Sequence, residues 1–299
     1  MTATIIGSNG YLSRHLANFF LEKKWTIFGY DITDESLVTG INYTVLKSLL
    51  KEDVDLINLN VDFIFYFTGV TGTYKAYDNY DVYIDVNEKA LLCLLNRMRE
   101  LNIKSRLIFP STRLVYKGKK DIPLKEDDPK EFKSIYALNK WFGENVINQY
   151  HEYFGINFNI FRICVPYGNL FLDNYSYGTI GFFLSNAISK KNINLFGTGE
   201  QRRTFTHVED ICNYIYYSII NDISINNIFN IPGENYSLME IANMIANKLG
   251  VLVENKDWPE LDKKMESGDT IFDGNKLLSY SKVEQIHTFE KWLNETYFQ

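Results

Sequence analysis

Thr4-Ile5-Ile6-Gly7-Ser8-Asn9-Gly10-Tyr11-Leu12-Ser13 is the stretch that decides the fold. A short apolar run ends in two glycines, and behind them Leu12, Leu16, Phe19 and Phe20 recur at helical spacing. The order is strand, tight turn, helix. Gly7 permits the turn, Gly10 lets an anion approach a bare backbone, and the helix that follows aims free N–H groups at that anion. This is the context a dinucleotide site requires, although the third small position is Ser13 rather than glycine. An ordinary strand-to-helix turn reads the same way, so the next strand has to separate the two.

That strand is Trp25-Thr26-Ile27-Phe28-Gly29-Tyr30-Asp31. It closes on an acid about twenty residues beyond the glycines, where a ribose 2′-hydroxyl needs an acceptor. Ile32 follows Asp31 and no arginine stands nearby. A carboxylate there repels a 2′-phosphate, so the preference reads as NAD over NADP.

Further along, strands alternate with helical periods at Thr2–Ile6, Trp25–Asp31, Phe63–Phe67, Arg106–Ser111 and Phe158–Cys164. Phe63-Ile64-Phe65-Tyr66-Phe67-Thr68-Gly69 is apolar on both faces, as a central parallel strand should be, and its C-terminal Thr68-Gly69 falls where open α/β sheets bind ligands. The expected fold is α/β, a doubly wound parallel sheet of Rossmann-like type with a smaller C-terminal substrate-binding lobe. Residues 1–165 form the cofactor domain and 166–299 most of the lobe, with one strand or helix near 196–232 returning to the core. Ile228–Pro232 reads as a late strand, Ser237 as the cap of a helix over Leu238–Leu249, Asp210 as the cap of a helix through Ile211, Tyr214 and Ile215, and Thr288–Tyr297 as a final amphipathic helix.

Tyr136-Ala137-Leu138-Asn139-Lys140 sets a phenol and an ammonium four residues apart within a helical segment, so both face the same way. A cation beside a phenol favours the phenolate, and such a pair can move protons to and from a sugar hydroxyl. In a chain with 21 tyrosines and 31 Lys plus Arg the spacing also arises by chance. It gains weight from its company. Gly7-x-x-Gly10-x-x-Ser13, Asp31, Ser111-Thr112 before Val115-Tyr116, Tyr136-x-x-x-Lys140 and Gly197-x-Gly199-x-Gln201-x-Arg203 occur in that order. Together they resemble the extended short-chain dehydrogenase/reductase family, in its NAD-dependent nucleotide-sugar epimerase and dehydratase branch (UDP-glucose 4-epimerase-like), over nearly the whole chain.

The resemblance implies a catalytic set of Thr112, Tyr136 and Lys140. It implies NAD contacts from Gly7, Asn9, Gly10, Tyr11, Leu12, Asp31, Ile32, Phe67, Thr68, Gly69, Asn87, Tyr136 and Lys140, with Asp53 and Val54 near the adenine and Asn87 at the start of a helix running to about Leu101. Substrate contacts are expected from Thr71, Ser111, Arg113, Val165, Leu195, Phe196 and, as diphosphate ligand, Arg203. The chain also departs from its pattern. The acidic pair that follows the hydroxyl in the 4,6-dehydratases is here Arg113-Leu114, which cannot act as acid and base for water elimination. Val165 replaces a diphosphate asparagine and cannot donate that hydrogen bond, and Glu266-Ser267 stand where another phosphate arginine is common. The activity implied is a 4-epimerase; a 4-keto-6-deoxysugar reductase using NAD(P)H is the alternative, and a catalytically idle NAD-sensing regulator is disfavoured by the intact Tyr136 and Lys140.

Composition agrees with a soluble enzyme acting on a nucleotide-diphosphate sugar. At 299 residues and 45% hydrophobic content the chain can bury a large core, and 31 Lys plus Arg against 37 Asp plus Glu give a net charge of −6 with no basic run, which argues against nucleic acid. No apolar stretch is long enough to span a bilayer, and the chain opens directly on an apolar strand, so a cytoplasmic location is expected. Cys93, Cys164 and Cys212 are widely spaced in apolar surroundings and read as reduced thiols, and the four histidines show no ligand spacing, so no metal is expected. Helices near 85–101 and 134–152 commonly form a dimer seam in the family, which implies a homodimer.

Overall fold

The structure is a computed structural model that describes residues 1–50, 53–73, 75–171, 177–220 and 222–297. Along the chain the strands and α-helices run β1 (Thr2–Ile6), α1 (Tyr11–Glu22), β2 (Thr26–Asp31), β3 (Asn42–Val45), β4 (Phe63–Tyr66), α2 (Tyr80–Ile84), α3 (Ala90–Glu100), β5 (Arg106–Thr112), α4 (Ile135–Phe154), β6 (Phe158–Ile163) and β7 (Val165–Tyr167). They continue with α5 (Gly178–Ile188), β8 (Ile193–Phe196), β9 (Arg202–His207), α6 (Val208–Ile219), β10 (Asn227–Asn230), β11 (Glu234–Ser237), α7 (Leu238–Leu249), β12 (Val253–Lys256), α8 (Glu260–Met265), α9 (Asn275–Ser281) and α10 (Phe289–Thr296). The chain divides into two compact units: Met1–Val115 with Phe132–Arg162 and Asn221–Phe229, and Tyr116–Glu131 with Ile163–Ile220 and Asn230–Gln299.

The first unit is built on a seven-stranded sheet of order β3-β2-β1-β4-β5-β6-β10. The doubly wound sheet expected from the sequence is therefore present, with β1 pairing in parallel with β2 on one side and β4 on the other, so that Ile5 lies opposite both Gly29 and Phe65. The order reverses between β1 and β4, and a crevice opens at the carboxyl ends of such a pair. The five anticipated strands fall within a residue or two of their expected limits. The short edge strand β3, half-exposed along its length, was not anticipated; four residues are too few for alternation to declare itself.

Both faces of the sheet are covered. On one, Phe20 of α1 stacks on Trp25 (ring centroids 4.6 Å apart), which stacks on Phe63 (5.3 Å). On the other, Ile64, Tyr66 and Phe109 pack with Leu91, Leu94, Met98 and Ile147 from α3 and α4. Full burial of an aromatic such as Phe20 contributes roughly 1.5–3 kcal/mol. α4 starts at Ser134, whose Oγ accepts the Ala137 N–H (3.2 Å), and stops at Gly155 in the left-handed region, φ +70°. It lies close on β5 because Gly143 has no side chain: a Cβ there would sit 2.6 Å from the Phe109 ring.

In the second unit, β9 pairs in parallel with β7 and antiparallel with β11, and β8 pairs with β12. Tyr167, Leu184, Phe205, Ile241, Ile245 and Phe289 belong to its core. Ser237 caps α7 as expected, in a reciprocal capping box with Glu240. α6 is a correction: His207, not Asp210, is its cap, and the Asp210 carboxylate instead accepts the N–H groups of Ile286 (2.8 Å) and His287 (3.0 Å). Among the described residues no helix is long and apolar enough to cross a membrane.

Candidate functional site

The glycine turn is locked from both sides. Gly7 adopts φ +82°, and its N–H and that of Ser8 both donate to the Tyr30 carbonyl at the end of β2 (2.7 and 3.1 Å). A Cβ at Gly7 would stand 2.7 Å from the Thr68 backbone, so no other residue lets the turn nest against the end of β4. Gly10 begins α1 with no side-chain cap, leaving the helix's first N–H groups to solvent or a ligand. A cavity of about 740 Å³ opens here, lined by Gly7, Asn9 and Gly10, by Asp31 to Thr33, by Leu46 to Leu50, and by Phe67 to Val70. Its size and mostly apolar lining suit a small-molecule cofactor, and the bare glycine turn at a helix start suits a pyrophosphate.

Asp31 ends β2 with both oxygens oriented by backbone: Oδ2 accepts the Asn9 N–H (2.9 Å) and Oδ1 the Ile32 N–H (2.8 Å). Ile32 is largely exposed at the rim. Asp53 and Val54 differ from expectation. Neither lines the cavity; Val54 is buried and Asp53 accepts the Ser48 N–H (2.8 Å), bracing the 46–50 segment that forms the wall in their stead. Tyr11 and Leu12 are half-buried in the first turn of α1 and are not among the lining residues.

Asn87 also sits elsewhere than expected, not at a helix start but inside a π-helical turn, Asp85–Lys89, joining α2 to α3. The widened turn lets its amide face the 69–70 backbone, where Oδ1 accepts the Val70 N–H (2.8 Å) and Nδ2 donates to the Val70 carbonyl (3.0 Å). Nδ2 also donates to Asn139 Oδ1 (3.2 Å), and Asn139 donates to Glu88 (2.6 Å). Asn139, which sequence reasoning passed over as part of Tyr-x-x-x-Lys, therefore ties α4 to the cavity floor.

Tyr136, Lys140 and Glu144 follow one another at successive turns of α4. Lys140 is 7% exposed; its Nζ donates to the Pro110 carbonyl (2.9 Å), lies 4.7 Å from the Phe109 ring centroid and 6.0 Å from that of Tyr136. It also stands 3.9 Å from where a Cβ on Gly69 would be, so the ammonium reaches the end of β4. Burial pushes its pKa down from 10.5 to about 8, with the Glu144 carboxylate opposing. Tyr136 is half-buried, and Thr112, at the end of β5, is 8% exposed with Oγ1 accepting the Leu114 N–H (3.3 Å). The three proposed catalytic residues thus share one unit.

Ser111 is turned away into the fold: its hydroxyl donates to Glu144, which forms a fully buried pair with Arg162 (Nε to Oε1 2.9 Å, Nη2 to Oε2 2.6 Å). Arg113 is half-buried in the turn after β5, and Thr71 is exposed, its carbonyl accepting the Tyr83 hydroxyl (2.8 Å). In the second unit the side chains of Val165 and Leu195 are in the core, while Phe196 is exposed beside Trp258. Arg203 differs most from a phosphate-facing residue. It is 1% exposed, and its guanidinium binds the Glu266 carboxylate, the Gly268 carbonyl and its own neighbour's carbonyl at Arg202.

His207, Glu209 and His287, eighty residues apart at the extremes, gather with candidate ligand atoms within 4.8 Å of one another, a grouping of the kind that can hold a metal ion. Sequence spacing could not show it. His207 Nδ1 already accepts the Glu209 N–H (3.3 Å), His287 Nε2 meets Glu209 Oε2 at 2.8 Å, and the rings lie 4.0 Å apart, so the group fastens the 286–287 segment to the start of α6.

A family model described as "NAD dependent epimerase/dehydratase family" matches residues 3–231. The chain is 26% identical to a UDP-glucuronate 4-epimerase from Thermodesulfobacterium geofontis, covering 76% of this chain and 78% of that one. It is 23% identical to a CDP-paratose 2-epimerase from Salmonella typhi, covering 83% and 84%. A solved Thermus thermophilus UDP-glucose 4-epimerase in complex with NAD superimposes with a TM-score of 0.86 over 98% of this chain and 96% of that one, at 17% identity, a likeness of fold.

Proposed function

This chain belongs to the NAD dependent epimerase/dehydratase family, and from that premise we propose that it is a nucleotide-sugar 4-epimerase working by transient oxidation at C4. The observation that carries the reading is a buried Lys140 whose Nζ lies 6.0 Å from the Tyr136 ring centroid and reaches Gly69, which lines the cavity. Bound NAD supplies a hydride acceptor that later gives the hydride back. Tyr136 Oη takes the proton of the C4 hydroxyl as the C–H bond breaks and returns it to the same oxygen when the opposite face is reduced, so proton and hydride both balance over the cycle. Lys140, fixed by the Pro110 carbonyl and shielded from water, lends its charge to the phenolate. The Thr112 hydroxyl orients the reacting oxygen.

Arg113 and Leu114 in place of an acidic pair weigh against water elimination. The related 2-epimerase shows that the ring position is a separate question from the family. Arg203 keeps a place at the diphosphate only if Glu266 lets go, an exchange of one carboxylate for one phosphate on the same guanidinium fork. A cytoplasmic homodimer completes the proposal.

The test is incubation of purified protein with UDP-, dTDP-, GDP- and CDP-sugars without added cofactor, products being resolved by anion exchange and NMR. A C4 epimer formed under those conditions supports the reading. Conversion only of 4-keto sugars, and only with added NAD(P)H, replaces it with a 4-ketoreductase.

A further inference from the structure

Asn9 lies in the glycine turn and is among the residues that line the cavity. All its amide capacity is spent on the loop that follows β2: Nδ2 donates to Thr33 Oγ1 (2.5 Å) and to the Glu35 carbonyl (2.8 Å), and Oδ1 accepts the Leu37 N–H (2.8 Å). Tyr43 of β3 closes the same knot, its hydroxyl donating to the Thr33 carbonyl (2.6 Å) and lying 3.0 Å from Thr33 Oγ1. The Asn9 backbone N–H meanwhile orients Asp31. One residue therefore binds the glycine turn, the acid at the end of β2 and the 33–37 loop into a single rim.

The rim encloses the place where a 2′-substituent would emerge, beside Asp31. Two neighbours there are unfavourable to a phosphate, the Asp31 carboxylate and the exposed Ile32 side chain, while Lys47, which also lines the cavity, is paired with Asp34 (2.7 Å). Charge alone discourages a phosphate; the knot also denies it the option of pushing the loop outward. An asparagine is well chosen for this, since its planar amide offers two donors and an acceptor at one short reach.

Resting on the dinucleotide site described above, we propose that Asn9 is the positioning residue that makes this protein selective for NAD over NADP, by fastening the 33–37 loop against the glycine turn so that no pocket for a 2′-phosphate can open beside Asp31.

The experiment is titration of the wild-type protein, freed of any carried cofactor, and of Asn9→Ala with NADH and with NADPH, following nicotinamide fluorescence. Wild type should bind NADH at least 100-fold more tightly than NADPH. The variant should lower that ratio at least tenfold, with faster amide hydrogen exchange confined to residues 33–37. Thr33→Val, which removes one anchor on an exposed loop, should move both readouts the same way by a smaller factor and serves if Asn9→Ala does not fold. A wild-type preference for NADH that both variants leave unchanged overturns the role of Asn9 and leaves the NAD site standing; failure of wild type to bind either dinucleotide, or a preference for NADPH, overturns the site reading itself.

Discussion

Replacing Lys140 with methionine should silence the protein while making it more stable. In the folded chain burial holds the lysine pKa at about 8 against 10.5, which at about 1.4 kcal/mol per pH unit amounts to about 3 kcal/mol of disfavour for the buried ammonium at neutral pH. Methionine has a similar volume and keeps a favourable contact with the Phe109 ring, but it leaves the Pro110 carbonyl without its donor, at a cost of about 1–2 kcal/mol. The net gain is about 1–2 kcal/mol, or roughly 2–3 °C in Tm for a chain of 299 residues. The pH dependence identifies its origin. Between about pH 8 and 10.5 the unfolded chain holds a proton on Lys140 that the folded chain has lost, so this group makes the wild type more stable as pH rises through that window. The variant has no such term. Its advantage should therefore be nearly constant below pH 8, cross zero at about pH 9–9.5, and by about pH 10.5 turn into a deficit of about 1–2 kcal/mol, the cost of the lost Pro110 bond. Thermal unfolding by circular dichroism at pH 7, 9 and 10.5 measures this directly. A variant less stable than wild type by the same margin at all three values would refute the claim that the ammonium is held at a desolvation cost.

Tyr136→Phe removes the proposed proton carrier and should lower kcat by roughly 10²–10⁴ with NADH binding unchanged, as read by product NMR and fluorescence titration; full activity would remove Tyr136 from the mechanism. Gly7→Ala puts a methyl 2.7 Å from the Thr68 backbone at φ +82°, and should abolish dinucleotide binding while costing more than about 1 kcal/mol in urea unfolding. Glu144→Gln strands Arg162 as a buried, incompletely neutralised charge and should cost about 3–5 kcal/mol, whereas Glu144→Leu combined with Arg162→Met should recover most of it in the same unfolding assay.

What could be read from the sequence was what depends on neighbours along the chain. The β1–turn–α1 unit declares itself because glycine conformation, apolar period and helix start all lie within Thr2–Glu22. Ser237 was legible as a cap for the same reason: the group it bonds lies three residues on. What was missed is non-local. Asp210 holds residues 286–287, Arg203 holds Glu266, and His207 meets His287, each across more than sixty positions that no spacing rule connects. Asn87 was found as a residue but misplaced in its helix, because a π-turn leaves no mark on apolar periodicity. Asp53 and Val54 were displaced from the cavity wall by the unread β3, which brings Leu46 to Leu50 there instead.

Gly143 connects the thickness of the fold to the reach of its chemistry. The Lys140 stem has a fixed length, so how far Nζ projects toward Gly69 depends on the spacing between α4 and β5, and that spacing is set three residues away by the absence of a single methyl over Phe109. A side chain at 143 would act as a shim, lifting the helix off the strand and drawing the ammonium back from Gly69 without altering Tyr136, Lys140 or Thr112 themselves. Interlayer distance is thus a tunable parameter of the reaction, and a position with no functional group of its own is where it would be adjusted.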